Sequence, residues 1–160
     1  MNIFVLDTDP VLAAQCQVDK HVVKMTLETT QLLSTAHWLN GSVGPYKATH
    51  RHHPCTIWTA ASLVNYNWLA RHGVALLDEY TARYGKQHAC SGHIHRMLAS
   101  PPKLIPRDVG LTPFAIAMNK DAFGHCIVPG DPVASYRNYY RAAKADIATW
   151  KRNKPSWWVE

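Results

Sequence analysis

The sequence predicts a mainly α-helical chain: a single compact domain, residues 1–160, of about three main helices with long irregular connections. Three observations carry that expectation. At 160 residues, with 47% hydrophobic and 18% charged residues, the chain fits one domain with a real core and does not read as disordered. Apolar residues recur at three- and four-residue spacing through long windows, as helices with one buried face require. Pro and Gly punctuate those windows, and no internal repeat, low-complexity tract or linker interrupts them.

Taken in order, residues 2–6 are a short apolar run, either a brief strand or an extended lead-in. Asp7-Thr8-Asp9-Pro10 reads as a helix start, with Asp9 as N-cap and Pro10 in the first helical position. The first helix is expected from residue 10 to about residue 38, ended by Asn40-Gly41. Leu12, Cys16, Val23 and Leu27 would form its buried face, with Leu32 and Leu33 extending it. A loop over residues 41–53 closes on His50-Arg51-His52-His53-Pro54-Cys55, the densest cationic stretch. From residue 56 to about 84 the pattern is helical again, with Ile57, Ala61, Val64, Trp68 and Ala75 on one face. Gly73 would weaken or bend that helix and Gly85 would end it. Residues 87–113 read as irregular, with a short helix around Met97 and Leu98, and residues 112–119 as an apolar segment suited to packing over the core. Pro129-Gly130-Asp131-Pro132 is a turn that starts a third helix, expected to reach about residue 151.

The net charge of +6, the pI near 9.3 and ten histidines favour polyanionic partners, nucleic acid first. Cys16, Cys55, Cys90 and Cys126 are widely spaced, with no C-x-x-C pair, so a reducing cytosol is expected rather than a disulfide framework. The N-terminal stretch has no basic flank, and no run approaches the roughly 20 apolar residues of a membrane span. A soluble cytoplasmic protein is the expectation. Absence of a G-x-S-x-G elbow, a P-loop or a glycine-rich dinucleotide loop argues against those cofactor chemistries, and no cofactor is expected.

Within the first helix, His21, Lys24, Glu28 and Gln31 share one face, and Asp19 lies on its flank. A carboxylate at the edge of an apolar stripe, beside an imidazole and an ammonium, is a cluster in which pKa values shift. The bland alternative is a solvated face with one ion pair from Lys24 to Glu28. The C-terminal segment interleaves Tyr136, Tyr139, Tyr140, Trp150, Trp157 and Trp158 with Arg137, Arg141, Lys144, Lys151, Arg152 and Lys154. Cations hold phosphates and aromatic faces stack on bases, although the tyrosines taken singly suit core packing. His50 to Cys55 could be a phosphate-binding edge or, with His88, Cys90, His93 and His95, part of a metal site, but no recognised ligand spacing appears.

Several blocks resemble the pyrimidine-dimer DNA glycosylase and abasic-site lyase family of phage and bacteria, the endonuclease V type. They are Leu12-Ala13-Ala14-Gln15 with Asp19-Lys20-His21 in the first helix, and His53-Pro54-Cys55-Thr56-Ile57-Trp58. Leu69-Ala70-Arg71-His72, then Glu79, Arg83-Tyr84-Gly85 and His88, form a third block, and Lys154-Pro155-Ser156-Trp157-Trp158 a fourth. Much of the chain is also similar to a widespread group of small phage proteins. The resemblance implies an endonuclease V-like helical fold and phage DNA repair or base modification. It also implies an N-terminal amine that attacks the sugar C1′, a glutamate on the first helix that assists proton transfer, and a nucleotide displaced from the stack.

Two family marks look altered. Asn2 occupies the second position, where the nucleophilic amine is expected after loss of Met1, and Val23 falls at the glutamate position in an ungapped alignment. Three outcomes stay open. The chemistry is rebuilt from Asp19, His21 and Lys24, with Asp19 or His21 as general base and Lys24 as nucleophile or phosphate contact. Or the fold serves another reaction on a DNA base or nucleotide. Or the chain only binds nucleic acid or a protein. A metal-dependent hydrolase is a further alternative. DNA would lie across His50, Arg51, His52, His53, Arg71, Arg83, Arg137, Arg141, Lys151, Arg152 and Lys154.

Overall fold

Asp9 caps the first helix as its sequence demands, its carboxylate accepting from the Val11 and Leu12 amides at 2.8 and 2.9 Å. That helix, α1 (Pro10–Gln15), nevertheless stops after six residues. In the computed structural model, which describes residues 1–159, the chain leaves the helix over residues 16–18, and α2 (Asp19–Leu39) starts afresh from an extended Val18. A helix break exposes backbone carbonyls that must be satisfied. Arg83 supplies the donors: it reaches the Gln15 carbonyl at 2.9 Å and the Gln17 carbonyl at 2.8 Å, and binds Asp19 at 3.1 Å and Glu79 at 2.8 Å.

The break resets the helical phase, which corrects the expected buried face. Leu12, Val23 and Leu27 are 48%, 39% and 41% exposed. Leu32 and Leu33 are buried as expected, and Val22, Met25 and Ala36 enter the core beside them, with Thr26 and Thr30 neutralised by bonding the carbonyls four residues back. At 3.6 residues per turn, a register read straight through a three-residue break points at the wrong side.

The second long helix is also two: α3 (Pro54–Ala60) and α4 (Leu63–Tyr84), separated where the Ser62 hydroxyl caps α4 by accepting from Asn65 N at 3.0 Å. Gly85 ends α4 in the left-handed region at φ 68°. Gly73 permits a close approach: a Cβ there would lie 3.1 Å from Thr29 and 3.2 Å from Ile94, which belongs to α5 (Ser91–Ala99). So α4 is the central helix, packed on α1, α2, α3 and α5.

Residues 114–117 lie half-buried over the core, as their apolar character predicts. The short α6 (Lys120–Phe123) follows, then α7 (Pro132–Ala143), capped by Asp131. Beyond Ala143 there is one 3-10 turn and an irregular tail rather than more helix. The tail is strapped to the α1–α2 break: Trp150 Nε1 donates to the Cys16 carbonyl, and Lys151 N to Asp19. Residues 2–6 form a buried irregular lead-in, and the described residues contain no strand, only an isolated bridge between Val128 and Asp131. One core runs from Ile3 to Tyr140. No helix among the described residues is long and apolar enough to cross a membrane.

The Arg83 side chain is fully enclosed, so removing its charge leaves the nearly buried Asp19 without a counter-ion and Glu79 with only the half-exposed Arg152 at 3.6 Å. Urea denaturation of Arg83→Ala is expected to show a loss of about 3–5 kcal/mol.

Candidate active site

The phase of α2 turns His21, Lys24, Met25 and Glu28 toward a cavity of about 650 Å³. The lead-in crosses that face, held by the Asn2 side chain. Its oxygen accepts from the amides of Ile3 and Phe4 and from the Tyr136 hydroxyl, and its Nδ2 donates to the Ala117 carbonyl at 2.6 Å. Four bonds from one amide fix the start of the chain against α2, α7 and the 115–117 segment. Phe4 follows at φ 58°, a left-handed conformation that is a genuine outlier for an aromatic residue and marks functional sites when it is buried and over-determined. Its ring stacks on His21 at 4.5 Å.

This arrangement brings the N-terminal backbone to a carboxylate. Asn2 N donates to Glu28 Oε2 at 3.0 Å, the Met1 amine lies 3.8 Å from the same oxygen, and Lys24 Nζ is 3.6 Å from Oε1. Glu28 is therefore part of a buried cluster and not merely one half of a solvated ion pair. Val23, the ungapped match to the family glutamate, points outward.

His21 is enclosed, and burial first, then the Lys144 and Lys24 charges, lower its pKa to about 3, so it is neutral near pH 7. Its Nδ1 is 2.6 Å from the Tyr140 hydroxyl. A phenolic proton given to Nδ1 leaves the neutral imidazole's own proton on Nε2. His53 caps α3 by accepting from Cys55 N at 3.1 Å and joins the cavity wall. The opposite wall is residues 116–120 with Tyr139 and Lys144.

Of the three residues expected to be catalytic, His21 and Lys24 therefore line one cavity and Asp19 does not. Asp19 is committed to Arg83 and the Lys151 amide. The expected DNA surface also divides. His50, Arg51 and His52 are exposed on the loop before α3, whose His53 enters the cavity. Arg71 and Arg152 line a separate depression with Asp78 and Glu79. Arg83 corrects the expectation outright, since a side chain with no exposed area and four bonds inside the fold cannot meet a phosphate. Arg137 bonds the Leu6 carbonyl and Asp7, Arg141 holds the Trp157 carbonyl, and both lie over the Trp157 ring. Lys151 sits 4.4 Å above the Tyr84 ring, and Lys154 is exposed. Tyr136 and Tyr140 are core residues. No three His, Cys, Asp or Glu side chains among the described residues converge as metal ligands do.

Phe4 and Lys120 were absent from the expected site; Asn2 entered it only as the second residue, Tyr139 and Lys144 only in the C-terminal basic and aromatic segment, and Glu28 only as the ion-pair partner of Lys24. Glu28 carried a signal, its place three and four residues beyond Met25 and Lys24 on the His21 face. For the others, separation in sequence hid the association.

A primary amine held beside a buried helix carboxylate is one whose proton the carboxylate can take, leaving a nucleophile. Residues 1–91, more than half of the chain, match the family model of pyrimidine dimer DNA glycosylase, and the chain belongs to that family. No curated protein and no solved structure matches it. The family match takes in the cavity floor (α2, the lead-in and His53) and leaves residues 116–120, Tyr139 and Lys144 outside it.

Two buried neutral histidines set a pH dependence. His72 is fully enclosed, its Nδ1 bonding the Pro10 carbonyl and its Nε2 accepting from Gln17, and burial lowers its pKa to about 4. With folded values below the unfolded value of 6.5, the unfolded chain binds more protons between them. Stability is therefore complete above about pH 6.5 and falls as the pH drops toward 4 and 3. The slope approaches about 1.4 kcal/mol per pH unit for each histidine. Urea midpoints between pH 7.5 and 5 check this, and the slope is expected to be shallower in His72→Asn.

Proposed function

We propose that this protein is a DNA glycosylase with abasic-site lyase chemistry, using its N-terminal amine as nucleophile and Glu28 as the proton-transfer group. The observation that carries the reading is the 3.0 Å bond from Asn2 N to the buried Glu28 carboxylate, with the Met1 amine 3.8 Å from the same oxygen. Whether Met1 is retained or removed, a primary amine then stands beside Glu28. The family match to pyrimidine dimer DNA glycosylase and the basic surface at residues 50–53 support DNA as the substrate.

The reaction follows from these groups. Glu28 takes a proton from the ammonium, and the neutral amine attacks C1′ of a nucleotide displaced from the stack. The C1′–N-glycosidic bond breaks and the base leaves with a proton. The sugar ring then opens, protonated at O4′, to give an iminium at C1′. Loss of a C2′ proton eliminates the 3′-phosphate, and water hydrolyses the iminium to return the amine. Neutral His21, with a proton on Nε2, is a hydrogen-bond donor for the departing base or the sugar oxygen. Lys24 steadies the Glu28 carboxylate and faces phosphate.

Borohydride trapping on dimer-containing and abasic duplexes tests this. A trapped adduct is expected with the native chain, and mass analysis of its peptides is expected to place the sugar on the N-terminal residue, not on Lys24. Glu28→Gln, which can still accept from Asn2 N, is expected to cut the trapping rate by about 10²–10⁴-fold, while Val23→Ala leaves it unchanged. No adduct and no strand cleavage on either duplex sinks the proposal.

A further inference from the structure

Three amines face the cavity besides the N-terminus (Lys24, Lys120 and Lys144), against one carboxylate, Glu28. Lys24 and the N-terminal amine are already close to that carboxylate. Lys144 is not: among the described residues no carboxylate lies within ion-pair distance of it. Its Nζ stands over two aromatic faces, 5.3 Å from the Tyr139 centroid and 5.7 Å from that of Phe4. Burial and the Lys24 charge both disfavour its ammonium, and both lysines also act on His21, so the two charges converge on one region of the cavity. Like charges held together beside rings need an anion to offset them.

His21, Phe4 and Tyr139 are nearly parallel, with interplanar angles of 15° and 16° along the series. Phe4 and His21 are nearly enclosed and Lys144 stands over the Phe4 and Tyr139 faces, so the rings form the wall behind the ammonium groups, whose charge suits a phosphate. A cavity of about 650 Å³ has room for one nucleotide.

We propose that Lys144 and Lys24 form a phosphate subsite, and that the cavity takes one whole nucleotide, with its phosphate between the lysines. The inference rests on the reading of the cavity as the place where a displaced nucleotide is processed. It adds that recognition includes the nucleotide's own phosphate, through a residue outside the family-matching region. The phosphate can belong to a DNA strand or to a free nucleoside monophosphate, and the two sources are separable.

The test is calorimetric titration of the full chain with thymidine, thymidine 5′-monophosphate and a five-residue single-stranded oligonucleotide. The phosphate is expected to tighten binding of the monophosphate over thymidine by about tenfold or more, the effect of a charge-assisted bond. Lys144→Met is expected to abolish that difference and Lys144→Arg to preserve it. A Lys144-dependent oligonucleotide with no Lys144-dependent monophosphate assigns the phosphate to a DNA strand. Equal binding of thymidine and its monophosphate, together with oligonucleotide binding indifferent to Lys144→Met, overturns the proposal. Melting curves confirm that each variant is folded. Borohydride trapping is read separately: nucleotide binding that depends on Lys144 without any adduct in the native chain removes the glycosylase reading and leaves the phosphate subsite standing.

Discussion

The guanidinium of Arg83 is the constraint on which the rest of the molecule depends. Three residues between α1 and α2 leave helical geometry, and their neighbours' carbonyls would be orphaned inside the fold without a donor. Arg83 satisfies two of them while neutralising Asp19 at the start of α2 and Glu79 one turn away on α4. A planar fork of five N–H groups can meet such a set from one position, which a lysine could not. Because Asp19 also accepts from the Lys151 amide, and Glu79 from Asn153, the C-terminal tail is tied to the same point.

What Arg83 fixes at one end of α2 becomes chemistry in its middle. With α1 uncoupled from α2, the face bearing His21, Met25 and Glu28 turns inward, where the lead-in can cross it. Asn2 then completes the geometry from the other side. Its side chain makes four bonds within the fold, so its backbone nitrogen is held against Glu28. The left-handed Phe4 is the cost of that turn, tolerated because its ring is packed against His21, Tyr136 and Tyr140.

The basic charge of the chain is spent in two ways. Arg83, Arg137 and Arg141 bond carbonyls, carboxylates and ring faces, and hold the tail and lead-in in place. His50, Arg51, His52 and the cavity lysines remain directed at solvent or at the cavity. Net charge alone could not divide these groups, since a buried arginine and an exposed one count equally toward a pI of 9.3.

The sequence by itself determined the helical class, the cap at Asp9, the turn over residues 129–132 that starts the last helix, and the stop at Gly85. These rest on short-range rules, in which a residue's chemistry and its neighbours within one turn decide the outcome. The family blocks were legible too, because they are contiguous. Tertiary structure decided the rest. The break at residues 16–18 has no Pro or Gly to announce it; it exists because Arg83, far along the chain, satisfies it. That break moved Glu28 and not Val23 to the N-terminus, withdrew Asp19 into an ion pair, and brought Lys144 to the cavity from beyond the family-matching region. Each is a meeting of residues remote in sequence, and a pattern read along one helix carries no record of what will pack against it.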